Sequence, residues 1–343
     1  DANPEDWQQI AVLNPPQVEA DDLFGASVAV HSNFIVVGAP QDDDLGADAG
    51  AAYIFVKDAG NTWNLAKKIT AADGFAGDNF GTAVSVSGNN ILVGASMNDE
   101  KGLNAGAAYL FGKDQGGANN WGQVKKITAA DGEAGDMFGA SLKIDDVTAV
   151  VGASLEDEKG MNAGAAYVFN RDQGGANAWG QVKKLTANDG APLDNFGVSV
   201  GINASSIIVG ANLNDDNGAN SGSAYIFERN IGGTNNWGQA IKLLPQDGTS
   251  SDQFGIAVAV NGNFAVIGAR FDNIKGSNSG AAYVWQRQPN GFWEYVSKIF
   301  DNTGAKNDQF GTVLDIYKRT IIVGALRDDV AGKADQGSVS FFQ

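Results

Sequence analysis

One pattern is written six times along this chain. A Trp stands 17 residues before a Phe-Gly pair, and that pair stands 14 residues before a Gly-Ala pair that ends an apolar run. The copies open at Trp7, Trp63, Trp121, Trp179, Trp237 and Trp293, with Phe-Gly at Phe24, Phe80, Phe138, Phe196, Phe254 and Phe310 and Gly-Ala at Gly38, Gly94, Gly152, Gly210, Gly268 and Gly324. A period this regular across residues 1–343 predicts one repeat architecture and a single domain. It also means that residues present in every copy belong first to the scaffold.

Each copy reads as four short strands. In the second, the alternating run Thr82–Val86 turns at Gly88-Asn89 into the continuously apolar Ile91–Ala95. A polar loop, 96–106, then leads to Ala107–Phe111, and a Gly/Asn-rich loop leads to Trp121–Ile127. The Lys pair of that last strand reads as an outer edge blunted by charge. Helical periodicity is absent, so the expectation is an all-β, six-bladed β-propeller of four-stranded antiparallel blades. The chain opens with a lone fourth strand, Trp7–Leu13, and ends after a third one, so the N-terminal strand is expected to complete the last blade and close the ring.

Composition narrows the function. Forty acidic against 23 basic residues give a net charge of −17, which argues against a nucleic-acid partner and favours divalent cations. Cysteine is absent, excluding thiolate chemistry. No apolar run is long enough to cross a bilayer, so membrane insertion is not expected.

The Phe-Gly and Gly-Ala pairs, with the Gly-Ala-Ala-Tyr runs at Gly50, Gly106, Gly164 and Gly280, resemble the FG-GAP repeat of integrin α-subunit propellers and of many surface proteins. The resemblance covers essentially the whole chain. It implies a secreted or cell-surface, non-catalytic binding or adhesion module, frequently with calcium. Only the first copy has the full Gly38-Ala39-Pro40, and six repeats differ from the seven of integrins. The integrin-type calcium loop lies between first and second strands. Those turns are too short here to wrap an ion, so no ligand carries over by position.

Carboxylates concentrate in two other places. One is the loop after each Gly-Ala: Asp42, Asp43, Asp44 and Asp48; Asn98, Asp99, Glu100 and Asn104; Glu156, Asp157, Glu158 and Asn162; Asn214, Asp215, Asp216 and Asn220; Asp272, Asn273 and Asn278; Asp328, Asp329 and Asp335. The other is the connector before each Phe-Gly, with Asp22, Asp78, Asp136, Asp194, Asp252 and Asp308 two residues ahead of the pair. In an up-and-down blade both emerge at the same end. The Asp before Phe-Gly has two readings, a turn builder or a ligand, and perfect repetition favours the turn. In the loops after Gly-Ala, oxygen-only donors around a repeated Gly, with Asn or Asp two residues later in five copies, suit a Ca2+ ion.

Other chemistry is largely excluded. His31 is the only histidine, so a Ser/His/Asp triad or a histidine zinc site has little to build on. The repeated Trp residues favour packing between blades over sugar stacking. Trp285 and Phe292 depart from the pattern, and such local departures are where a binding site would differ from scaffold. The sequence thus leaves three functions open: a binding module for a protein or cell-surface ligand, a lectin with repeated weak sites, and, least favoured, a glycan-processing enzyme using paired carboxylates.

Overall fold

The computed structural model describes residues 10–15, 19–330 and 332–343. These hold 23 strands and no helix. The fold is an all-β propeller of six antiparallel blades, five of four strands and the last of three. Of the expected completing strand, Trp7–Leu13, residues 7–9 lie outside the described residues and Ile10–Leu13 forms no strand. By compactness the chain divides into two units, Asp1–Val147 with Gly174–Trp179, and Thr148–Gln173 with Gly180–Gln343.

The invariant words of the sequence have one physical job, joining consecutive blades. Gly81, at φ +99°, sits where the pairing of strand Phe80–Ser87 with Asn90–Ala95 skips register, Phe80 opposite Ala95 and then Val84 opposite Val93. The bulge turns the Gly81 carbonyl toward the preceding blade, where a Cβ on Gly38 would lie 2.0 Å from that oxygen. Gly94 meets Gly139, Gly210 meets Gly255 and Gly268 meets Gly311 in the same way. A backbone joint this close excludes any side chain at Gly38, Gly94, Gly210 or Gly268. Beside it, Phe80 N–H donates to Ala49 and Asn79 N–H to Asp48, so loop and connector are laced together. Gly50 and Phe80 form a short parallel bridge there, as do Gly222 and Phe254, and Gly280 and Phe310, in the second unit.

Apolar packing follows these joints. In the first unit, Phe34, Val36 and Ile54 pack with Phe80, Ile91, Tyr109 and Trp121 of the next repeat. Trp121 is 1% exposed, and its ring stands edge-on to Phe34 at 5.1 Å. In the second unit, Phe254 takes edge-on contacts with Tyr283 and Trp285 at 5.4 and 5.5 Å. Packing between blades, as the repeated Trp suggested, is what Trp121 does, while the Phe254 contacts knit the first and third strands of one blade. One local expectation shifts: Trp121, Trp179 and Trp237 precede the fourth strand, at φ 50°, 46° and 51°, while Trp63 and Trp293 begin it.

Candidate functional site

The loops after Gly-Ala are built by their own carboxylates. Asp43, Asp99, Asp157 and Asp215 each accept from the backbone N–H five residues on, at Asp48, Asn104, Asn162 and Asn220, over 2.6–2.8 Å. Asn273 does the same for Asn278. Those acceptor-capped residues hold φ of 54–57°, the left-handed region where Asn and Asp are least strained, which accounts for their recurrence after the loop Gly. The Asp before Phe-Gly is also a turn builder. Asp78 accepts from Phe75 N–H, Asp194 from Ala191, Asp252 from Thr249 and Asp308 from Ala305, all from three residues upstream. Where the loop opens with Asn instead of an acid, Asn98 and Asn214 donate to Asp78 and Asp194 from the adjoining connector.

The remaining loop acids converge on a lysine. Lys68 Nζ lies 2.6 Å from Asp42 and also pairs Asp44. Lys126 pairs Glu100 at 2.6 Å and Asp73 at 2.7 Å. Lys184 pairs Glu156 and Glu158 at 2.8 and 2.6 Å, Lys242 pairs Asp189 and Asp216, and Lys298 pairs Asp272 and Asp247 at 2.6 and 2.9 Å. Each ammonium also stands over the repeat's Tyr, 5.0–5.6 Å from the ring centres of Tyr53, Tyr109, Tyr167, Tyr225 and Tyr283. The Tyr53 and Tyr283 hydroxyls donate to Asp42 and Asp272.

These lysines correct the reading of a solvated charged edge. Their side chains are only 11–17% exposed and turn into the loops. Burial pulls the Lys68 pKa down, but Asp42 and Asp44 outweigh it and hold it above the ordinary lysine value. Burial likewise raises Asp73 and Asp247, yet the facing Lys126 and Lys298 carry both below the usual carboxylate range. Burial, then the hydrogen bond to Asp42, pushes Tyr53 up to about 12. A signal for this clamp was in the sequence. A Lys follows the repeat Trp by five residues at 68, 126, 184, 242 and 298, whereas the residue before it is Lys, Lys, Lys, Ile and Ser.

Among the described residues the sixth repeat has no such clamp. Ser340 stands where the others have Tyr, and Val12 is the residue five after Trp7. Asp329 still caps Asp335 N–H at 2.9 Å. No ion pair holds Asp301, Asp308, Asp328 or Asp329 among the described residues. Burial raises the Asp308 pKa, and the charges of Asp328, Asp329 and Asp301 raise it further.

Comparison with protein families matches the FG-GAP repeat over residues 7–55, 63–111, 121–169, 179–227, 237–285 and 293–342. The chain belongs to the FG-GAP repeat family. Comparison with curated proteins finds no match. The FG-GAP propeller is a binding scaffold, of a family generally non-catalytic and typical of extracellular proteins. Among the described residues, no helix is long and apolar enough to cross a membrane.

Proposed function

We propose that this FG-GAP propeller is a non-catalytic binding or adhesion module working outside the cell, recognising a protein or surface partner, with its six repeats acting as one domain. In this reading calcium binds in the sixth repeat. The observation that carries the calcium assignment is the contrast in charge between repeats. In the first five, a lysine ammonium already stands among the loop carboxylates, where a metal ion would have to be. In the sixth, Asp308, Asp328, Asp329 and Asp335 are oxygen donors, and among the described residues no cation pairs with the first three, which suits a hard divalent ion. The ion would neutralise mutual repulsion and draw these side chains together.

The non-catalytic reading draws support from the same clamps. Acid–base catalysis by two carboxylates needs one of them free to hold or release a proton at the substrate, whereas the loop acids of the first five repeats, Asp48 apart, are bonded to lysine or to backbone N–H groups. Thermal unfolding in EDTA and in calcium tests the metal assignment. Calcium at about 100 times its dissociation constant should add roughly 2.7 kcal/mol through one native-only site. Asp328→Asn with Asp329→Asn should remove that gain. Identical melting with and without calcium would sink the assignment.

A further inference from the structure

The fourth and fifth repeats form an open cavity of about 600 Å3 at the end opposite the acidic loops, lined by Arg229, Arg287, Glu228, Asn230, Ile231 and Phe292. Its chemistry departs from the other repeats at several positions at once. Glu228 stands where they have Val56, Gly112, Asn170 and Gln286. The basic residue that follows is itself followed by Asp58, Asp114 and Asp172 in the first three repeats, but by Asn230 and Gln288 here. In the third repeat that aspartate pairs its arginine, Arg171 to Asp172 at 3.0 Å. In the fourth and fifth the pairing acid is gone.

The two guanidinium groups are consequently underused. Arg229 donates from one terminal nitrogen to the Ala204 carbonyl at 3.3 Å and stacks over Trp237 at 5.7 Å, while its buried Nε has no hydrogen-bond partner. Arg287 Nε lies 3.3 Å from Glu228 Oε1 without hydrogen-bond alignment. Glu228 is buried and already accepts from Ser206 Oγ at 3.1 Å and Trp293 Nε1 at 3.2 Å. Two guanidinium charges against one carboxylate leave this cavity positive in a chain of net charge −17. An apolar wall completes it. Phe292 is 68% exposed and Ile231 42%, both projecting from loops that differ in length, 229–237 against 288–292.

We propose that this cavity binds a small carboxylate ligand with a ring-shaped body, the anion held by Arg229 and Arg287 and the ring resting against Phe292 and Ile231. Arginine suits a carboxylate because its fork offers two parallel donors. A pyranose acid and an aromatic acid share this chemistry. The site is separate from the acidic loops, so calcium binding and carboxylate binding succeed or fail independently.

Titration of the full chain with glucuronate, phenylacetate and neutral glucose, read by calorimetry, tests the proposal. Saturable binding of at least one acid without glucose binding is expected, and the acid that binds tells a sugar acid from an aromatic one. Asn230→Asp is the sharpest variant. It restores the aspartate of the first three repeats and can keep the turn bond that Asn230 Oδ1 accepts from Asn235, as Asp114 does from Asn119. It should weaken binding about tenfold or more by occupying Arg229, as should Arg287→Gln by removing a charged donor, with melting unchanged for Asn230→Asp. Binding of neither acid, equal binding of glucose, or acid binding unaltered in both variants would overturn the proposal.

Discussion

The fifth and sixth repeats share a scaffold and differ in what fills it. Both present Phe-Gly, Gly-Ala and an acidic loop, and both begin with a Trp. In the fifth, Lys298 and Tyr283 tie Asp247 and Asp272 into a closed, hydrogen-bonded cluster. In the sixth, Tyr becomes Ser340, and the acids repel one another. The joint is shared: Gly268 abuts the Gly311 carbonyl, which ties the fifth repeat to the sixth. Acidic loops that look alike in sequence can thus be structural in one repeat and available in the next, and the deciding residue lies two strands away.

The shared scaffold is broken most forcefully at the joint. Gly268→Ala should cost about 3 kcal/mol or more, because its Cβ would lie 2.0 Å from a carbonyl oxygen that cannot move without the bulge, while Gly60→Ala, whose Cβ would meet the exposed Asp58 Oδ1 at 3.2 Å, should cost under about 1 kcal/mol. Chemical denaturation of the two variants measures the gap, and equal losses would refute the backbone-joint explanation. Next comes the clamp. Lys298→Met leaves the buried Asp272 without its cation and should cost about 3 kcal/mol, whereas Asp328→Asn in calcium-free buffer should change stability by less than about 0.5 kcal/mol.

The smallest effect is in titration, and it carries a sign. Asp247 is held below its ordinary 3.8, so its stabilisation is present above that value and is lost as acid protonates it. Asp308 is raised above 3.8, so its ionisation opposes folding, and stability falls as pH rises through its folded pKa. Carboxyl carbon NMR should place the two on opposite sides of 3.8. Both shifting in the same direction would mean that the lysine does not decide the difference.

The fold was legible because its joints are made by residues with almost no alternatives. Only Gly fits where Gly38 meets Gly81, and the same joint recurs at Gly94, Gly210 and Gly268. The role of the loop acids was harder to read. Asp48, Asn104 and Asn162 look like oxygen ligands in sequence, yet a left-handed turn selects the same residue types. The lysine clamp was hidden because Lys67-Lys68 on a final strand resembles a charged edge, and pattern alone does not say which of two neighbours points inward. The cavity between Arg229 and Arg287 was foreshadowed only by Phe292 and Trp285 leaving the pattern; the decisive losses of aspartate at 230 and 288 gain meaning once Arg171 is seen bound to Asp172.

The Gly-to-carbonyl joint bears finally on how such a chain can vary. It is made of a bare α-carbon on one side and a peptide oxygen on the other, so it takes no notice of which loops its partners carry. A unit of about 58 residues copied between two others would meet the same oxygen and the same bare carbon it left behind. Recombination can therefore shuffle loops without redesigning the seams, and a clamped loop, an open acidic loop and an arginine-lined cavity can coexist along one chain.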